Sequence, residues 1–87
     1  MQLNPIEKKV LSIMEDTVKE TVYLATKNWF NLTIKETNKI IKKLTSMDLV
    51  QIVEVQEGQF FYFHTQNVNP EMLDKEIFDK VKNGVFP

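Results

Sequence analysis

Apolar positions recur at a spacing of three and four through the first half of the chain, and the period shortens further on. Ile6, Val10, Ile13 and Met14 follow one another at helical spacing, with Leu11 and Val18 close to the same face. Asn4-Pro5-Ile6-Glu7 opens this run with a good N-cap, a proline at the first helical position and a glutamate three residues after the cap that can reach back to its backbone N–H. The pattern predicts a first helix over residues 5–16. Thr17-Val18-Lys19-Glu20 repeats the capping box, so a second helix is expected to start between Thr17 and Thr21. Val22, Thr26, Trp29 and Phe30 form its inner face, and it should end between Asn28 and Asn31, where Asn tolerates the left-handed conformation that closes helices.

The clearest amphipathic run begins at a further box, Thr33-Ile34-Lys35-Glu36, and continues to about Met47. Steps of about 100° per residue put Thr37, Ile40, Ile41 and Leu44 on one face, with Ile34 and Met47 at its edges. Lys35, Lys39, Lys42 and Ser46 fall on the opposite face, with Asn38 on one flank and Glu36 and Lys43 on the other. Leu49 to Gln56 is then rich in Val and Ile, Glu57-Gly58 forms a turn, and Gln59 to Thr65 is rich in aromatics, which predicts a β-hairpin. Val50, Ile52 and Val53 do not settle on one face of it. On the second strand Phe61 and Phe63 point one way and Phe60 and Tyr62 the other. One pair can fill the core, and the plain expectation is that the last helix covers the other. That helix is capped by Asn69-Pro70-Glu71, carries Met72, Leu73, Ile77, Phe78 and Val81, and stops at Asn83-Gly84, with Val85-Phe86 beyond.

Composition narrows what these elements can do. The chain has 87 residues, 11 basic against 12 acidic, and no Cys; every basic residue is Lys. The length allows one domain with a small independent core. The longest apolar run, Phe60 to Phe63, is far short of the ~20 residues of a membrane span. The N-terminal residues lack the basic and apolar regions of a signal peptide, and a cytoplasmic location without disulfides or thiolate metal sites is expected. One His, two Ser and no glycine-rich phosphate loop supply little for catalysis, so no enzyme, no cofactor and no metal is expected. His64 reads as a surface or packing residue.

Three helices followed by a hairpin is the order of the winged helix-turn-helix, and the residues extend the likeness. Phe30-Asn31-Leu32-Thr33 resembles the L-G-L-S turn of many such domains, those of MarR-like regulators among them, with Asn in place of Gly. Thr37, Ile40, Ile41 and Leu44 resemble the core positions of the recognition helix, and Asp48-Leu49-Val50 resembles the G-L-V exit into the wing, with Asp in place of Gly. The resemblance covers residues 5–65. Two departures stand out. The small residue of the second helix, six before the cap, falls on Lys27 here, with Ala25 two earlier; either the turn is two residues longer or Ala25 is unrelated to that position. The wing tip Gln56-Glu57-Gly58-Gln59, with Glu54 nearby, is acidic, which phosphates would repel.

The resemblance implies an α+β fold, a winged helix-turn-helix over residues 5–65 with an added C-terminal helix over 70–83, forming one domain over 1–87. It implies a regulator of transcription that binds double-stranded DNA with the third helix in the major groove. Lys35, Asn38, Lys39 and Lys42 would face DNA with Lys43 beside them, and Thr33 could bond a phosphate through its hydroxyl or the free N–H groups at the helix start. Residues 33–47 hold four Lys and one Glu, a local excess of three in a chain of net charge −1. A homodimer is expected, paired through Leu73, Ile77, Phe78 and Val81 of the last helix. The alternative is a winged helix used for protein–protein contact. The missing Arg, the acidic wing and the net negative charge favour it.

Overall fold

The structure, a computed structural model, describes residues 2–85; Phe86 lies outside them. Among these residues the elements run α1 (Pro5–Ile13), β1 (Thr17–Val18), α2 (Lys19–Phe30), α3 (Ile34–Ser46), β2 (Val50–Gln56), β3 (Gln59–His64) and α4 (Lys75–Lys82), with a 3₁₀ turn at Pro70–Met72. The capping boxes of α1 and α3 form as expected. Asn4 and Thr33 each accept from the backbone N–H three residues on, and Glu7 and Glu36 return the bond. No described helix is long and apolar enough to cross a membrane.

The box at Thr17 does not form. Helix α1 ends at Ile13, three residues early, because Met14 leaves the helical conformation and Asp16 turns left-handed at φ 52°. The Thr17 hydroxyl is spent on α1, donating to the Ile13 carbonyl at 2.7 Å and lying 2.9 Å from that of Glu15. Thr17 and Val18 then pair with Tyr62 and Phe61 as a short strand, and α2 starts at Lys19 without a side-chain cap.

The three strands form one antiparallel sheet in the order β1-β3-β2. The hairpin register sets Val50 opposite His64, Ile52 opposite Tyr62 and Glu54 opposite Phe60, with Val55 bulged before Gln56 meets Gln59. Alternation along β3 therefore puts Tyr62 and His64 on one face and Phe61 and Phe63 on the other. Tyr62 enters the core with Val10, Leu11, Ile13, Met14, Val22, Ala25, Ile41, Leu44, Leu49 and Val50. Truncating a residue as enclosed as Leu44 costs about 2–5 kcal/mol, a large share of a small domain's stability. Ala25 is the small residue buried in α2, while Lys27 is exposed.

The last helix is shorter than its sequence pattern suggests. Asn69 makes no side-chain cap, Leu73 and Asp74 are extended, and the Asp74 carboxylate caps α4 by accepting from the Ile77 N–H at 3.1 Å. The Asp74 N–H donates to the buried Ser12 hydroxyl of α1 at 2.8 Å, which pins the break between the 3₁₀ turn and α4. Helix α4 packs on α1 and meets β3 through Phe78, whose ring stacks on His64 at 6.1 Å. It lies on the Tyr62 face of the sheet, so it does not cover Phe61 and Phe63. Those two rings stack on each other at 6.2 Å, half-buried, on the outer face.

With the helices on one face of a sheet that ends in a two-stranded wing, and α4 added on that same face against α1, the architecture is a winged helix-turn-helix.

Candidate nucleic-acid interface

Helix α3 is held by its inner face and its N-terminal cap, and both leave the outer face free. Thr37, Ile41 and Leu44 are buried, and the Thr37 hydroxyl bonds that of Thr26 at 3.1 Å, fixing α3 against α2. The turn between the two helices is Asn31-Leu32-Thr33. Asn31 takes the left-handed conformation at φ 55°, and its N–H donates to the Lys27 carbonyl at 3.1 Å. The exit from α3 repeats the device: Asp48 has φ 57°. The two places where the winged-helix motif favours Gly are thus left-handed here, met by Asn and Asp, the residues other than Gly that best tolerate that conformation.

Lys35, Lys39 and Lys42 are exposed on the outer face, and none forms an ion pair among the described residues. They lie at positions 2, 6 and 9 of the helix, so a common direction follows from the helical repeat. Asn38 is exposed beside them, and the Tyr23 hydroxyl of α2 donates to its Oδ1. That bond ties the Asn38 side chain to α2. Tyr23 in turn lies beside Tyr62, whose phenol is pushed up to about 12 by burial and then by Tyr23 and Glu20. Sequence spacing alone does not reveal the Tyr23–Asn38 bond, since its partners are 15 residues apart on different helices.

Two of the candidate residues are partly committed elsewhere. Lys43 turns toward α1 and pairs with Glu7 at 2.8 Å. Burial alone would raise the Glu7 carboxyl, but the Lys43 ammonium and the Asn4 N–H outweigh it and hold the group below its ordinary 4.5. Thr33 spends its N–H on Glu36 Oε1 and accepts from the Glu36 N–H, so its hydroxyl proton stays available while a carboxylate occupies the helix start. The Thr33 N–H also holds the Glu36 carboxyl below its ordinary value.

The wing offers the opposite charge. Gly58 turns the hairpin at φ 79°, its N–H donates to Glu54 at 3.0 Å, and Glu57 is exposed at the tip. His64 is a packing residue: Nε2 lies 2.6 Å from the Leu11 carbonyl, Nδ1 lies 3.4 Å from Glu15, and the ring stacks on Phe78. A cavity of about 650 Å³ beside it, lined by Leu73, Val68 and Phe78 among others, sits at α4 and away from the α3 lysines. The four residues expected to pair subunits are largely spent within the chain. Ile77 is in the core, Leu73 and Val81 pack against it, and Phe78 covers His64. The outward positions of α4 are charged, and Lys75–Asp79 and Lys80–Glu76 pair along it.

Comparison with solved structures supports the fold. The chain is similar to RosR of H. salinarum, over 95% of this chain and 71% of that one, with a TM-score of 0.61 and 16% sequence identity. No protein-family model matches the sequence, and no match was found among curated proteins.

Proposed function

We propose that the 87 residues act as one winged-helix domain that binds double-stranded DNA in the regulation of transcription, without catalysis. Helix α3 enters the major groove, and two copies of the chain present two such helices to a two-fold site. The observation that carries this reading is the outer face of α3, where Lys35, Lys39 and Lys42 stand exposed and without an ion pair among the described residues, beside an exposed Asn38. Lys contacts phosphate or guanine, and an Asn amide pairs with adenine. With no Arg in the chain, the bidentate guanine contact is missing, so phosphate contacts supply most of the affinity.

Titration against mixed duplex DNA at two salt concentrations tests this. Three phosphate contacts per domain predict that affinity falls roughly 40-fold between about 50 and 200 mM salt. An absence of binding at the lower salt overturns the reading. The acidic wing tip, Glu54 and Glu57, favours a second one, a winged helix that contacts protein. Binding to a protein partner with no DNA binding at low salt is its signature.

A further inference from the structure

Strand β2 is the outer strand of the sheet, and among the described residues nothing pairs with its far edge. Its seven residues, Val-Gln-Ile-Val-Glu-Val-Gln, contain one charge, no Pro and no Lys. Natural sheets usually blunt such edges with charges or Pro, and this one carries only the bulge at Val55 near its end. The single charge is drawn back to its own hairpin, since Glu54 accepts from the Gly58 N–H. Each face of the strand exposes an apolar side chain at the edge: Ile52 is 46% exposed on the Tyr62 side, and Val53 and Val55 are 40% and 57% exposed. Val53 continues into Phe61, its partner across the hairpin, and the half-buried ring of Phe63.

The strand is also complementary to itself. A two-fold axis perpendicular to the sheet keeps every residue on its own face, so the axis must pass through a residue and not between two. An axis at Glu54 would set two carboxylates opposite each other, which is destabilising. Axes at Gln51 or Ile52 leave the end of the strand unpaired. An axis at Val53 centres the pairing on the strand: Val53 meets itself and Ile52 meets Glu54, while Val50 and Gln51 lie against the bulged end at Val55 and Gln56. No like charges are opposed. We propose that the free edge of β2 is the surface on which a second copy of this chain docks, the two β2 strands pairing antiparallel about Val53 to join the sheets. Because the axis preserves the faces, both α3 helices lie on the same side of the joined sheet. The proposal rests on the homodimer in the reading above and not on its DNA-binding part.

The absence of Cys makes the test direct. Val53→Cys supplies a single thiol, and residues directly opposite in an antiparallel pair have Cβ atoms about 4.5–5.5 Å apart, the lower end of which meets the upper end of disulfide spacing, about 4.5 Å. Under mild oxidation at about 20 μM, Val53→Cys should become mostly covalent dimer. Gln59→Cys, exposed at the tip of the same hairpin, should cross-link at least about tenfold more slowly. Val53→Lys should sediment as a monomer while keeping its circular dichroism, since Val53 is outside the core. A wild-type chain that is monomeric at about 100 μM overturns the proposal together with the homodimer. A dimer that survives Val53→Lys, or equal cross-linking from positions 53 and 59, overturns the β2 edge and leaves the homodimer standing.

Discussion

Helix α3 and strand β2 are neighbours in the chain, and each turns one side to solvent, but with opposite chemistry. The free side of α3 is lysine, while the free edge of β2 is Val, Ile and Gln with a single acid. A net charge of −1 averages over this division and conceals it. The two surfaces suit different partners. Clustered, unpaired Lys gains little from a protein core and much from releasing counterions on a polyanion. An unblunted apolar edge gains nothing from phosphate and much from another strand. Partner classes are therefore better inferred from the surface each element leaves over than from the composition of the whole chain.

Removing charge from the helix while sparing the strand separates the two surfaces. Lys39→Ala with Lys42→Ala should weaken DNA binding by roughly 10–100-fold at low salt and lower the slope of log affinity against log salt by about two per domain. Dimerisation should be unchanged. The mirror variant, Val53→Lys, should remove dimerisation and keep the salt slope of each domain. If the lysine pair leaves affinity and slope as they were, the contrast fails on the α3 side and DNA contacts lie elsewhere.

A smaller effect separates Lys43 from the other helix lysines. Its side chain is 38% exposed, and it neutralises the nearly buried Glu7 carboxylate. Lys43→Ala should cost about 1 kcal/mol of stability at neutral pH by urea unfolding, discounted for that exposure. Glu7 titrates below its ordinary value in the folded chain, so its contribution is present above pH 4.5 and fades as pH falls through the folded value. The gap between wild type and variant should therefore close in acid. A gap of constant size would mean that Lys43 acts through its aliphatic stem. DNA affinity should change less than in the Lys39 and Lys42 pair.

Much of this contrast was legible in the sequence because it is local. Steps of about 100° along residues 33–47 separate the lysine face from Thr37, Ile41 and Leu44, and the box at Thr33 fixes where the helix begins. What escaped depends on distant partners. The Thr17 box reads like the others, but pairing with Tyr62 and a bond back to Ile13 decide its use. The break in the last helix comes from Ser12, 62 residues before Asp74, and the direction of Lys43 comes from Glu7, 36 residues away. The uncovered rings of Phe61 and Phe63 follow from which sheet face α4 occupies, a matter of packing that alternation cannot decide.

The entrances of α3 and of the wing share a backbone conformation but differ in what holds them. Asn31 and Asp48 both hold left-handed backbone, φ 55° and 57°, at the positions where the motif favours Gly. Gly would relieve the strain at either, at the expense of greater freedom in the unfolded chain. At Asn31 only backbone bonds are involved, its N–H to the Lys27 carbonyl, and these survive the change. Asn31→Gly should stabilise by up to about 0.5 kcal/mol. At Asp48 the carboxylate also accepts from the Asn67 amide at 2.9 Å, across the base of the wing. Asp48→Gly loses that bond and should destabilise by about 0.5 kcal/mol. The urea midpoints should thus rank Asn31→Gly, wild type, Asp48→Gly from highest to lowest. The reverse order would mean that a side chain fixes the α3 turn and bare backbone fixes the wing, the opposite of what their hydrogen bonds describe.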